Sequence, residues 1–128
     1  MLRIVSSIAF ITLLSFQPIA QDCDTTVYEV VEVMPEYPGG MSELMNYMMD
    51  VSLPKLENEN EIIGSFCFSF IVQCDGQLAD ITALKNPDHP YTIAVKKHIE
   101  QIPKWTAGLH QGRHVYVRYT LPIHISIN

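Results

Sequence analysis

Basic side chains are scarce in this 128-residue chain: eight lysines and arginines stand against fourteen aspartates and glutamates, a formal charge of −6. A nucleic-acid partner needs a basic face to neutralise phosphates, so that class is set aside. Catalytic signatures are missing as well. The chain contains no His-Glu-x-x-His, no Gly-x-Ser-x-Gly and no phosphate-binding loop. His89, His98 and His124 are scattered, and His110 and His114 flank a Gln-Gly-Arg turn with no cysteine near in sequence, which is not a metal-ligand pattern. The chain therefore reads as a non-enzyme with no cofactor and no small-molecule substrate. Low-complexity runs, internal repeats and a Pro-rich spacer are also lacking, and the eight prolines are dispersed. What remains is room for one domain, with 48% apolar residues to build its core.

The first twenty residues stand apart from that core. Arg3 gives a short basic start, Ile4 to Phe16 is mostly apolar, and Pro18-Ile19-Ala20 precedes a polar start at Gln21-Asp22. This is the layout of a secretory signal peptide over residues 1–20, with a retained short anchor as the alternative. The apolar run falls short of the ~20 residues that span a bilayer. Export opens an oxidising compartment in which cysteines can pair. Cys67 and Cys74 lie seven residues apart on one predicted strand, too far to bridge each other at ~3.3 Å per residue. Cys23 could reach either of them if the N-terminal tail folds back. The simpler expectation leaves all three free, with Cys74 a small apolar residue beside a turn.

Charge is divided unevenly. Asp22 to Glu61 holds ten carboxylates and one lysine; from Ile62 onward there are four carboxylates and six lysines and arginines. A solvated acidic surface accounts for this as readily as a neutral or acidic partner for the C-terminal half.

Periodicity predicts the elements. Val27 to Met34 can form a short strand, and Pro35-Glu-Tyr-Pro-Gly-Gly40 stops it as a turn. A helix follows over about Met41 to Val51, with Leu44, Met48 and Val51 as its core stripe, ended by Pro54. Its four methionines read as core filling rather than soft-metal ligands. Phe66, Phe68, Phe70 and Val72 share one face of a strand over about Ile62 to Cys74. Asp75-Gly76 then predicts a hairpin into a strand over about Gln77 to Leu84. A second helix over about Pro90 to Ile102 turns Tyr91, Val95, Ile99 and Ile102 inward; Pro103 stops it, and Trp105 plugs the end of the core. After a loop from Ala107 to Gly112, every odd position from Val115 to Ile127 is apolar and most of those between are polar. Alternation of that length means one buried and one wet face.

The order β-α-β-β-α-β predicts an α+β two-layer sandwich, with two helices on one face of an antiparallel sheet of three to four strands. Its C-terminal strand is expected at the sheet edge, where another chain's strand can add.

Pro35 to Gly40, the Gly64-initiated strand ending at Asp75-Gly76, Ile102-Pro-Lys-Trp105 and the Gly112 turn into Val115-Tyr-Val-Arg-Tyr-Thr-Leu-Pro-Ile123 occur in this order and spacing. Together they resemble the C-terminal domain of TonB, the periplasmic energy transducer, in its Bacteroidetes-type form, over about Val27 to Ile127. The resemblance implies a periplasmic domain over residues 27–128, preceded by a short tail at 21–26, that grips an extended segment of a TonB-dependent outer-membrane transporter by strand addition. It implies structural roles for Pro38, Gly39, Gly40, Asp75, Gly76, Pro103 and Trp105. Tyr116, Arg118, Thr120, Pro122 and His124 on the wet face of the last strand are the candidate partner contacts. Pro122 has no N–H, so its nitrogen is expected on the unpaired side or at a bulge. Two features depart from the family. Leu53-Pro54 and a polar stretch stand where a Tyr-Pro and an Ala-containing turn are usual. Only Gln21 to Thr26 separates the N-terminal segment from the first strand, about 20 Å at ~3.5 Å per residue, so the expectation is a binding module without a periplasm-crossing spacer. The alternative is an exported structural domain whose edge strand pairs with a second copy.

Overall fold

The computed structural model describes residues 23–55 and 63–126; the expected signal peptide lies outside them. In chain order the elements are β1 (Asp24–Tyr28), α1 (Met41–Met49), β2 (Ile63–Val72), β3 (Leu78–Ala83), α2 (Pro90–Glu100), β4 (Gly108–His110) and β5 (Arg113–Ser126). Both helices and the predicted strands of the C-terminal half are present, with ends shifted by at most two residues.

The phenylalanine alternation of β2 sets the core. Phe66, Phe68, Phe70 and Val72 are buried together with Leu44 and Met48 of α1, Tyr91, Val95 and Ile99 of α2, Trp105, and Leu121 of β5. At about 25 cal/mol per Å² of apolar surface removed from water, these large side chains supply the main stabilisation. A second, smaller cluster joins Val31 to Val115 and Val117, with Tyr28 against it. The helices are also fastened to each other. Tyr47 donates its hydroxyl proton to the His98 carbonyl at 2.6 Å, while His98 Nε2 lies 2.5 Å from the Tyr47 carbonyl, and the two rings stack at 4.1 Å.

The sheet has five strands in the order β1-β5-β2-β3, with β4 also on β5. It is α+β with a mixed, curled sheet, and this corrects the expectation of a purely antiparallel sheet of three to four strands. β1 runs parallel to β5, whereas β2, β3 and β4 make antiparallel pairs. Asp24 to Thr26, expected in a tail, belong to β1, and Asp24 already pairs with Val115 of β5. The later part of the expected first strand instead makes isolated bridges, Val33 to Leu109 and Glu36 to Thr106. The expected loop from Ala107 to Gly112 contains β4. Gln111 (φ 54°) and Gly112 (φ 75°) form a two-residue turn with both residues left-handed, the geometry that lets strands pair tightly.

The free-cysteine expectation is overturned. Cys23 is disulfide-bonded to Cys74 across 51 residues of sequence, and Cys67 is the free thiol. The tail does fold back: Tyr28 of β1 and Val72 at the end of β2 both pair with Val117 of β5, and Cys74 follows Val72 by two residues. In the chain-entropy account, closing a loop of that length is worth about 4 kcal/mol.

On the outer border of the sheet, β3 is irregular. Its register with β2 shifts between Ser69 and Ile71, and Asp80 sits at φ 51°. A bulge of this kind breaks the row of backbone groups that a foreign strand would need.

Two glycines with positive φ differ in what surrounds them. A Cβ at Gly76 (φ +84°) would lie 1.9 Å from the Trp105 carbonyl oxygen, whereas one at Gly112 (φ +75°) would meet nothing within 4 Å. Gly112→Ala is expected to cost only the backbone strain, about 1 kcal/mol, and Gly76→Ala about 3 kcal/mol or more, as measured by urea unfolding of the two variants.

Candidate functional site

An antiparallel ladder alternates residues whose N–H and C=O face one neighbour with residues whose groups face the other. The β2–β5 register is unbroken from Ile63↔Ser126 to Val72↔Val117 and includes Cys67↔Pro122. The Cys67 carbonyl accepts the Leu84 N–H at 2.8 Å, so the backbone groups of Cys67 point to β3 and away from β5. Its opposite number, Pro122, must therefore turn its own nitrogen and carbonyl away from β2. The same parity gives the odd residues of β5 to β2 and the even residues to the other border.

That border is partly filled. Val117 pairs with both Val72 and Tyr28, and Val115 with both Gly108 and Asp24. β2 and β4 thus lie end to end on one side of β5, and β1 lies on the other. The final strand is accordingly not a plain edge strand, as the alternation had suggested, but an interior strand at Val115 to Val117. Beyond that point no strand of the described residues pairs on the β1 side. The Arg118 carbonyl, both backbone groups of Thr120, the Pro122 carbonyl and both backbone groups of His124 face this opening. The Pro122 nitrogen falls on the unpaired side, where a missing N–H costs nothing internally.

Beside the opening is a groove of about 600 Å³. Met45, Met48 and Met49 of α1, Val51 and Leu53 after it, and Val95 of α2 form one wall, and Pro122, Ile123 and His124 form the other. Met48 is buried, Met45 is 38% exposed and Met49 is 82% exposed, so the groove runs from core to solvent. Unbranched, polarisable methionines adapt to apolar groups of different shape. The helix that the sequence placed here for packing alone also supplies a surface.

The candidate contacts separate by position. Thr120, Pro122 and His124 are exposed along the opening. Tyr116 is half-buried opposite Val27 of β1. Arg118 reaches across the sheet, donating to Ser69 Oγ at 3.1 Å and lying 3.6 Å from the Asp80 carboxylate, so its side chain ties β5 to β2 and β3.

The motif residues meet elsewhere, at one end of the sheet. The Gly76 carbonyl accepts the Trp105 N–H at 2.9 Å, and Asp75 accepts the Gln77 N–H at 3.0 Å to hold the turn. Trp105 is buried edge-on against Phe70, Tyr119 and Tyr37. The Tyr37 carbonyl accepts the Gly40 N–H at 2.8 Å around Pro38 and Gly39, and α1 starts there. Pro103 lies between the end of α2 and this tryptophan. The motifs therefore build a joint that places α1, and with it the methionine groove, beside β5.

β1 is held lightly. Apart from its ends, its side chains are exposed. Asp24 accepts from the Thr26 N–H at 2.9 Å and from the Tyr28 hydroxyl at 2.8 Å. The local bond to Thr26 accompanies the register shift between Asp24 and Val27, since a side-chain acceptor two residues back competes with the ladder. The Thr26 and Tyr28 bonds hold the Asp24 carboxyl below its ordinary value and, in return, the Asp24 bond raises the Tyr28 phenol. Tyr28 also lies 5.3 Å from the His110 ring. His110 pairs with Arg113, and Leu109 with His114, so the two histidines lie on opposite faces and do not converge. No group of three or more metal-ligating side chains occurs among the described residues.

The first strand was expected from Val27 rather than from Asp24, and the Cys23–Cys74 bond was only the alternative to three free thiols. The faint signals were the Asp24-x-Thr26 turn pattern and a cysteine just ahead of it.

Arg118→Ala is expected to lower stability by about 0.5–1 kcal/mol, the range of a half-exposed pair, in chemical unfolding. Asp24 is depressed, so its contribution is present above the ordinary 3.8 and is lost as pH falls through the lower folded value. The Thr26 amide proton should report this in an NMR titration with a midpoint below 3.8.

No protein-family model matches this chain, and neither the curated proteins nor the solved structures contain a match to it.

Proposed function

We propose that this chain is a peptide-binding module of the TonB C-terminal type, which engages an extended segment of a TonB-dependent outer-membrane transporter by strand addition. The observation that carries the reading is the row of outward-facing backbone groups from Arg118 to His124, lying beside a groove lined by methionines. Backbone pairing supplies affinity with little sequence demand, and alternate side chains of the added strand fall toward the groove, which supplies preference. The order of the Pro38-Gly39-Gly40, Asp75-Gly76 and Pro103-x-Trp105 motifs supports the same reading. In it, α1 and α2 form a single layer over the sheet, completing a two-layer sandwich. Periplasmic placement suits the Cys23–Cys74 bond, because disulfides persist in oxidising compartments. Among the described residues no helix is long and apolar enough to cross a membrane.

Pro122 limits the register. An added strand gains two bonds at Thr120 and two at His124 but only one at Pro122, so binding is weak and reversible. The test is an NMR titration of the labelled chain with N-terminal peptides of outer-membrane transporters. Shifts concentrated at Thr120 and His124 are expected, and Thr120→Pro should weaken binding by about tenfold while leaving the β2–β5 amides in place. Absence of shifts at millimolar peptide overturns the proposal. Concentration-dependent sedimentation in the absence of peptide would instead assign the border to a two-fold pairing of this chain with itself.

A further inference from the structure

The border of β5 that is open beyond Arg118 is occupied just before it by the chain's own β1, and a covalent bond holds that occupant at its start. We propose that the Cys23–Cys74 disulfide is a redox latch, and that β1 is a self-supplied strand whose release lengthens the border available to a partner.

Little else keeps β1 in place. Thr25, Thr26 and Val27 are exposed, and Val27 shows 41% of its surface. The pairing with β5 is short and shifts register between Asp24 and Val27. Tyr28 is its one side chain packed on a core cluster. The chain is anchored again immediately downstream, by buried Val31 and by the paired backbone bonds between Val33 and Leu109. Cleaving the disulfide therefore frees a segment that ends near Val31, while the anchored chain from Val33 onward keeps its place. Cys67 cannot take over the bond, since it lies seven residues from Cys74 along an extended strand.

The chemistry is a thiol–disulfide exchange with a dithiol reductant. One thiolate of the reductant attacks a sulfur of the pair, forming a mixed disulfide and releasing the other cysteine as a thiolate, which takes up a proton. The second thiol of the reductant, deprotonated, resolves the mixed disulfide. Two electrons pass to the protein, which ends with Cys23 and Cys74 as thiols, and the reductant ends as its own disulfide.

The parity of β5 makes the consequence specific. The Tyr116 and Arg118 amides face β1, whereas those of Val117 and Tyr119 face β2. Hydrogen exchange of the full chain, read residue by residue with and without dithiothreitol, tests the latch. Reduction should speed exchange at Tyr116 and Arg118 by at least about tenfold and leave Val117 and Tyr119 unchanged, and Cys23→Ser should reproduce this without reductant. Unchanged protection at Tyr116 and Arg118 overturns the proposal. So does loss of protection at all four, which would make the bond a staple of the whole fold. If Cys23→Ser does not fold, reducing the folded native chain and following it in time gives the same reading.

The consequence for a partner rests on the strand-addition reading given above. Transporter peptides titrated against both redox states should bind the reduced chain more tightly. Absence of binding in both states would sink the strand-addition reading alone, because the exchange pattern decides the latch by itself.

Discussion

The ladder between β2 and β5 is the constraint on which the rest depends. Its register runs without interruption from Ile63↔Ser126 to Val72↔Val117, and that single alignment fixes both faces and both borders of β5. Phe66, Phe68, Phe70 and Leu121 are placed on the face that receives Leu44, Met48, Val95 and Ile99. The same alignment turns the nitrogen of Pro122 outward. A slip by one residue would move every phenylalanine to the wet face and bring a residue without an N–H into the paired side. The hydrophobic pattern and the proline therefore specify the same register by independent means.

Around this ladder the short motifs act at a distance from the opening they shape. Gly76 allows the backbone of Trp105 to approach, and Trp105 gathers Tyr37, Phe70 and Tyr119. The Tyr37 turn starts α1, and Tyr47 and His98 then lock α1 to α2. The methionines of α1 stand beside β5 because of this sequence of contacts.

Much of this was legible in the chain. The alternation from Val115 onward, the Asp75-Gly76 turn and the inward stripe Tyr91, Val95, Ile99 each follow from a period or a turn rule that acts over a few residues. The outward nitrogen of Pro122 was also foreseeable, since proline leaves few places in a sheet. β1 was not legible, because Asp-Thr-Thr-Val-Tyr has no apolar alternation and its partner strand lies roughly ninety residues further on. The disulfide followed it into obscurity: an odd number of cysteines suggests free thiols unless the folding back of the tail is known. The opening itself, being defined by where β1 stops, could not be drawn from the final strand alone.

The left-handed Asp80 and the bulge of β3 that contains it have a further effect. Strand-by-strand growth of an assembly needs two receptive borders on every subunit, one to give and one to take. Here the β3 side is irregular, so under the strand-addition proposal a molecule with one strand added at β5 would present a broken border at β3 to the next copy. On that proposal association through this sheet would end after a single event, because open-ended stacking would lack a second regular border among the described residues.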